Sequence, residues 1–167
     1  MSLDTFLKKD SFTSNTSRGL IAGLLGGLAG TAVKSLVEHF LPVRKVEQRS
    51  AQRKILDNIS MKVTGYPISE QNEALAEQLV NFPLGAGVGM AYGYGKKNRD
   101  ALNLRDGLLL GSTTWVSTHE TSLPMAGLES KPSEIPLQLQ ANELLAHVLF
   151  GITTELVRSY INEQLKD

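Results

Sequence analysis

At 167 residues the chain has room for one domain with a real core. Its 17 basic residues balance 17 acidic ones, which argues against a general nucleic-acid role, and the lack of cysteine excludes disulfides and thiolate chemistry. The mean hydropathy of −0.10 is that of an ordinary soluble protein, but the average hides strong segregation along the chain.

Residues 1–18 read as a polar N-terminal segment, without the apolar core of a cleavable signal peptide. Gly19 to Val33 then carries no charge. Asn15, Thr16 and Ser17 are capping types and Pro42 is a stop, so a first helix is expected over about 19–41. In the segment 43–64, Val46, Ile55, Ile59 and Val63 are interleaved with Arg44, Lys45, Arg49, Arg53 and Lys54. It reads as an amphipathic helix on a membrane surface, with Arg44, Arg49, Arg53 and Lys54 as candidates for binding lipid headgroups or an acidic partner. Gln78 to Gly95 is again free of charge, which predicts a second helix over about 72–95, kinked at Pro83. Asp106 as N-cap opens a third helix over 107–124, broken near Pro124. A fourth is expected over 139–165.

A bilayer-spanning helix wants about 20 mostly apolar residues. Each charge-poor stretch reaches that length if a few ionisable groups are tolerated. A soluble bundle would need polar residues recurring every three to four positions, and 19–33 and 78–95 have no such face. The expected fold is all-α: a single integral membrane bundle over 19–167, with about four transmembrane helices and an interfacial amphipathic helix after the first. A soluble helical bundle is the alternative. Lysines and arginines on the side of the two termini (Lys8, Lys9, Arg18, Lys96, Lys97, Arg99, Arg105, Arg158 and Lys166) outnumber Arg44, Lys45, Arg49, Arg53, Lys54, Lys62 and Lys131 on the other. The bias places both termini of a multi-pass inner-membrane protein in the cytoplasm.

Glycines recur every four residues at Gly19, Gly23 and Gly27, at Gly26 and Gly30, and at Gly85, Gly89 and Gly93. Such ridges let helices approach closely in lipid, within one chain, between copies or in a larger membrane complex. The spacing fits no phosphate-binding loop, since GLLGGLAG is not G-x-G-x-x-G and GYGKKN lacks the Ser or Thr of a P-loop.

Inside the apolar spans stand Lys34 and Glu38, His119, and Glu143 and His147, with Gly151 and Glu155 continuing the last stripe. At 1.5 Å rise per residue, Lys34, Glu38, His119, Glu143 and His147 all fall within roughly 15 Å of one interface. Charges in hydrocarbon are expensive and pair within the bundle. Three readings follow: an ion-pair lock on packing with Lys34 bridging Glu38 and Glu143, a proton or ion relay, or a metal site. Glu38, His119, Glu143 and His147 would suit zinc, manganese or non-haem iron, although Lys34 opposes a cation. No catalytic residue is assigned, because STTWVSTHE lacks a nucleophile elbow. No cofactor is expected beyond a possible metal.

Three stretches resemble the YagU-like bacterial inner-membrane proteins, a domain of unknown function: GLIAG with VKSLVEHFLPVR, HETSLPMAGL, and NELLAHVLFGITTELVRSY. The matching positions are Lys34, Glu38, Pro42, Arg44, His119, Pro124, Gly127, Glu143, His147 and Glu155. Val43 replaces a second proline, and 45–75 departs from the pattern. The resemblance implies an integral inner-membrane protein of helical fold. The expected function is that of a structural or partner-binding membrane protein, with the bilayer and a second copy as partners. The alternatives are a proton or ion relay linked to envelope pH homeostasis, or a metal-binding membrane protein.

Overall fold

The computed structural model describes residues 3–44 and 49–166, with side chains from residue 14 onward. Lys45 to Gln48, where the expected amphipathic segment opens, lie outside the described residues, as do the side chains of Lys8 and Lys9. Among the described residues there is no strand. Five helices carry the fold: α1 (Leu3–Phe40), α2 (Ala51–Thr64), α3 (Glu73–Gly95), α4 (Leu104–Ser117) and α5 (Leu137–Gln164). The polar segment expected before residue 19 is therefore helical from Leu3 and continuous with α1.

Two stretches, Ser14–Phe40 within α1 and Leu137–Gln164, are long and apolar enough to cross a membrane. Neither α3 nor the 14-residue α4 meets that measure among the described residues, so length and composition establish two such helices rather than four. α1 packs between α3 and α5, and α4 packs on the far flank of α5. α2 lies against α3.

Local chemistry sets the ends. Ser50 caps α2 by accepting from the Arg53 amide at 3.1 Å. Gly65, at φ 79°, closes its C-terminus by donating to Met61 O. α4 is capped by Asn103, which accepts from the Arg105 amide at 3.2 Å. Asp106, expected to be that cap, sits in the first turn and pairs with Lys96 at 2.5 Å. α3 runs through Pro83 without interruption. α4 gives way to a π turn at Thr118–Ser122, then to one α turn at Leu123–Met125.

The α1–α3 contact is backbone against backbone. A Cβ on Gly19 would lie 2.6 Å from Gly93 O, and one on Gly23 or Gly27 would overlap Gly89 O or Gly85 O. On its other side α1 meets α5, where a Cβ on Gly26 would lie 2.6 Å from Thr154 O and one on Gly30 the same distance from Phe150 O. Gly107 and Gly111 of α4 face Gly151 and His147 of α5 in the same way. The ridges are used within the chain.

Gly89→Val is expected to collapse the thermal transition of the purified protein, because the neighbour it meets is backbone that cannot turn aside. Gly87→Ala, two positions away with nothing within 4 Å, is expected to be neutral or to stabilise by up to about 1 kcal/mol. Equal melting temperatures for the two variants would contradict the contact.

Candidate functional site

The chemistry gathers where the C-terminal end of α1, the π turn after α4 and the N-terminal half of α5 meet. α5 presents Glu143 and His147 one turn apart, both buried. The π turn inserts one extra residue into the helical path, a local device common at functional sites. It carries His119, which is 7% exposed. Beyond it Gly127, at φ 69°, takes the left-handed conformation, and the Gly127 and Leu128 amides donate back to Pro124 O and Leu123 O. That reversal returns the chain so that Glu129 meets His119.

His119 Nδ1 lies 2.9 Å from Glu129 Oε2 and 3.0 Å from Glu143 Oε1. One ring N–H cannot serve two carboxylates fully, so two negative charges converge on a single nitrogen. His147 Nδ1 sits 3.0 Å from the Glu143 carbonyl. A carbonyl only accepts, so this nitrogen carries the proton and Nε2 keeps the lone pair. The two imidazoles meet edge to face at 4.9 Å. Lys34 pairs along α1 with Glu38. No ion pair links Lys34 to Glu143 among the described residues, so the expected bridge is absent, although Lys34 remains within electrostatic reach of Glu143 and His147.

A polar cavity of about 390 Å³ opens beside the cluster, lined by Glu38, Lys54, His119, Glu129 and Glu143 among others. A smaller space of about 150 Å³, walled by residues such as Val80, Leu84 and Phe150, reaches His119 and His147 from the apolar side.

Arg44, Arg49, Arg53 and Lys54 are each held by a partner, but only Arg53 is buried, and Arg44 and Arg49 stay exposed. Arg44 pairs with Glu77 at 2.6 Å, and Arg49 with Asp57 at 3.1 Å. Arg53 is 1% exposed, bonds Asp57 at 3.0 Å and donates to the carbonyls of Ile68 and Ser69. Burial works to raise the Asp57 pKa, but the Ile68 amide, Arg53 and Arg49 together hold it below the usual value of 3.8. Lys54 donates to Leu128 O at 2.8 Å, tying α2 to the loop that carries Glu129. The expectation that Arg53 presents its charge to headgroups is corrected by this burial.

Glu155 does not join the cluster. It lies two turns beyond His147, about 12 Å along α5. There it accepts from Arg158 Nε and Nη2 at 2.7 and 2.9 Å, the Tyr92 hydroxyl at 2.9 Å and the Asn103 amide at 3.0 Å. Arg158 and Glu155 are each 1% exposed. The interval on α5 correctly puts Glu155 on the inner face but says nothing about depth. Glu129 is the site residue that sequence reasoning missed. Its signal was present, a glycine soon after a helix-breaking proline and an acid two residues later, but the polar run that follows made it read as loop surface.

Removing Lys34 strands Glu38 in a poorly solvated place. Breaking such a pair costs about 3–5 kcal/mol in soluble interiors, and less where lipid is the solvent. Lys34→Met is expected to lower the melting temperature, and adding Glu38→Gln to restore more than half of the loss. Additive effects in the two single variants and the double variant would show that the pair is not coupled.

The family described as Protein of unknown function (DUF1440) matches residues 28–156. That span includes Lys34, Glu38, His119, Glu129, Glu143 and His147. No curated protein and no solved structure matches the chain. With well over half its length matched, the chain belongs to the DUF1440 family of proteins of unknown function.

Proposed function

We propose that the chain is a multi-pass inner-membrane protein of the YagU-like kind and that its buried His–Glu cluster binds a cation at the wall of a polar cavity. The carrying observation is His119 Nδ1 held between Glu129 and Glu143 beside that cavity. A cluster that only locked helices together would gain from closure and from matched partners. This one has two carboxylates on one nitrogen and an opening to solvent-sized space.

The membrane part draws support from where the apolar surface lies. In the most apolar window of α1 only 39% of residues are buried within the protein, and in that of α5 44%. A core helix of a soluble bundle would be mostly buried. Ile21, Leu25 and Leu36 of α1, Leu79 and Leu84 of α3, Leu109 and Val116 of α4, and Leu145 and Leu156 of α5 are exposed. A band this broad would be a liability in water and is ordinary in lipid. In the proposed arrangement α3, and α4 with its π turn, complete four crossings. Cytoplasmic termini then put the cavity on the periplasmic side. The bilayer is the proposed partner.

Washing membranes with alkaline carbonate is expected to leave the protein in the pellet, and release into the supernatant would contradict the membrane reading. Lys131→Cys, unique in this cysteine-free chain, is expected to react with an impermeant maleimide in spheroplasts. Labelling only after lysis would reverse the orientation.

A further inference from the structure

We propose that His119 Nδ1, Glu129 and Glu143 form a binding site for a first-row divalent metal ion such as Zn²⁺ or Mn²⁺. The inference deepens the cation reading and does not depend on the membrane placement. The three residues offer one imidazole nitrogen and two carboxylate oxygens within 4.8 Å of one another. Donors that share one ion tetrahedrally at bonds of about 2.0–2.2 Å sit about 3.3–3.6 Å apart, so small side-chain adjustments close the set. One imidazole with two carboxylates is a donor set for zinc, manganese or non-haem iron rather than for calcium, which takes six to eight oxygens.

Charge points the same way. The cations around the cavity are engaged elsewhere: Lys34 with Glu38, Arg44 with Glu77, Arg49 with Asp57, and Lys54 on the Leu128 carbonyl. Lys34, which opposes a cation in the bare sequence, is paired with Glu38, which offsets its charge without removing its reach to Glu143. Among the described residues, His119 is the one basic group within ion-pair distance of Glu129 and Glu143. With neutral His119 the three ligands sum to two negative charges, the complement of a divalent ion. Metal binding would take the Nδ1 lone pair, with any proton there passing to cavity water.

The architecture suits a metal as well. The ligands come from three separate elements: the π turn, the loop after Gly127, and α5. The Glu143 backbone carbonyl accepts from His147, which orients that ring beside the site. The cavity of about 390 Å³ leaves room for water to fill the remaining positions, as an open metal site requires.

The test is isothermal titration of the full-length, tag-free, detergent-purified protein, stripped with chelator, against Zn²⁺ and Mn²⁺ separately. One equivalent of at least one ion is expected to bind. Glu129→Gln and His119→Gln are expected to weaken binding by about tenfold or more, by analogy with the losses that even outer-shell changes produce. Glu163→Gln, on an exposed position near the other end of α5, is expected to leave it unchanged. Should circular dichroism show either variant unfolded, Glu129→Asp is read instead, and a shortened carboxylate must still weaken binding. Saturable uptake of neither ion by wild type overturns the proposal, as does equal affinity in wild type and the folded Glu129 variant. Carbonate-resistant protein that takes up no metal overturns the metal site alone. Carbonate-released protein that does bind metal overturns the membrane reading alone.

Discussion

Where α1 meets α3, the carbonyls of Gly85, Gly89 and Gly93 occupy the space that side-chain carbons on Gly27, Gly23 and Gly19 would need. Everything else in the molecule depends on that contact. Each glycine in a helix interior costs about 1 kcal/mol relative to alanine. Six on two facing ridges therefore cost several kcal/mol before any contact is counted. The expense is offset only if the backbones lie close along the whole ridge, where dispersion and weak Cα–H···O contacts of about 0.5–1 kcal/mol each accumulate. The same logic repeats where Gly26 and Gly30 meet α5 and where Gly107 and Gly111 meet Gly151. α1 thus becomes a thin, rigid spacer between α3 and α5. Its C-terminal turns then bring Lys34 and Glu38 beside Glu143 and His147.

The charges sort into two groups at opposite ends of α5, and each group is matched differently. At the Arg158 end each carboxylate is matched: Glu155 takes Arg158, Tyr92 and a backbone amide, while Asp100 takes Asn162 at 2.5 Å and Lys166 at 2.9 Å, and the acceptor buried there without a partner is the uncharged Asn162 Oδ1. That end is a lock. Isolated surface ion pairs contribute little, about 0–1 kcal/mol, so a lock of this strength has to come from burial and hydrogen bonding rather than from the number of charges. At the His119 end the balance differs, because two carboxylates share one nitrogen beside a cavity. The contrast between a closed network and an open one within the same bundle separates structural charge from charge available to a ligand.

The sequence carried the helices well where composition alone decides them. Charge-free runs place α3 and the apolar parts of α1 and α5, because an uncharged stretch bounded by polar patches has few other solutions. Glycine spacing likewise speaks directly about close packing. What depends on a tertiary partner was not legible. The arginine stem of Arg53 is turned into the protein by the carbonyls of Ile68 and Ser69, fifteen and sixteen residues away, and no local pattern encodes that. Lys34 was expected to bridge Glu38 and Glu143; it pairs along its own helix with Glu38, and no ion pair to Glu143 completes the bridge among the described residues. Glu129 enters the site through a π turn and a left-handed glycine, neither of which leaves a periodic signature. Glu155 shares a face with His147 but not a depth, since helical spacing fixes the first and sets the second about 12 Å away.

The bundle is held by α1 and α3 touching through their glycine backbones. Solid-state NMR of the glycine-¹³C-labelled protein in lipid bilayers measures that contact directly. Short-range Cα–Cα cross-peaks are expected between Gly27 and Gly89 and between Gly23 and Gly93, whose backbones lie in contact. Absence of those cross-peaks, in a sample whose intra-helix correlations are present, would mean that the ridges do not meet and that the cluster is not held as described.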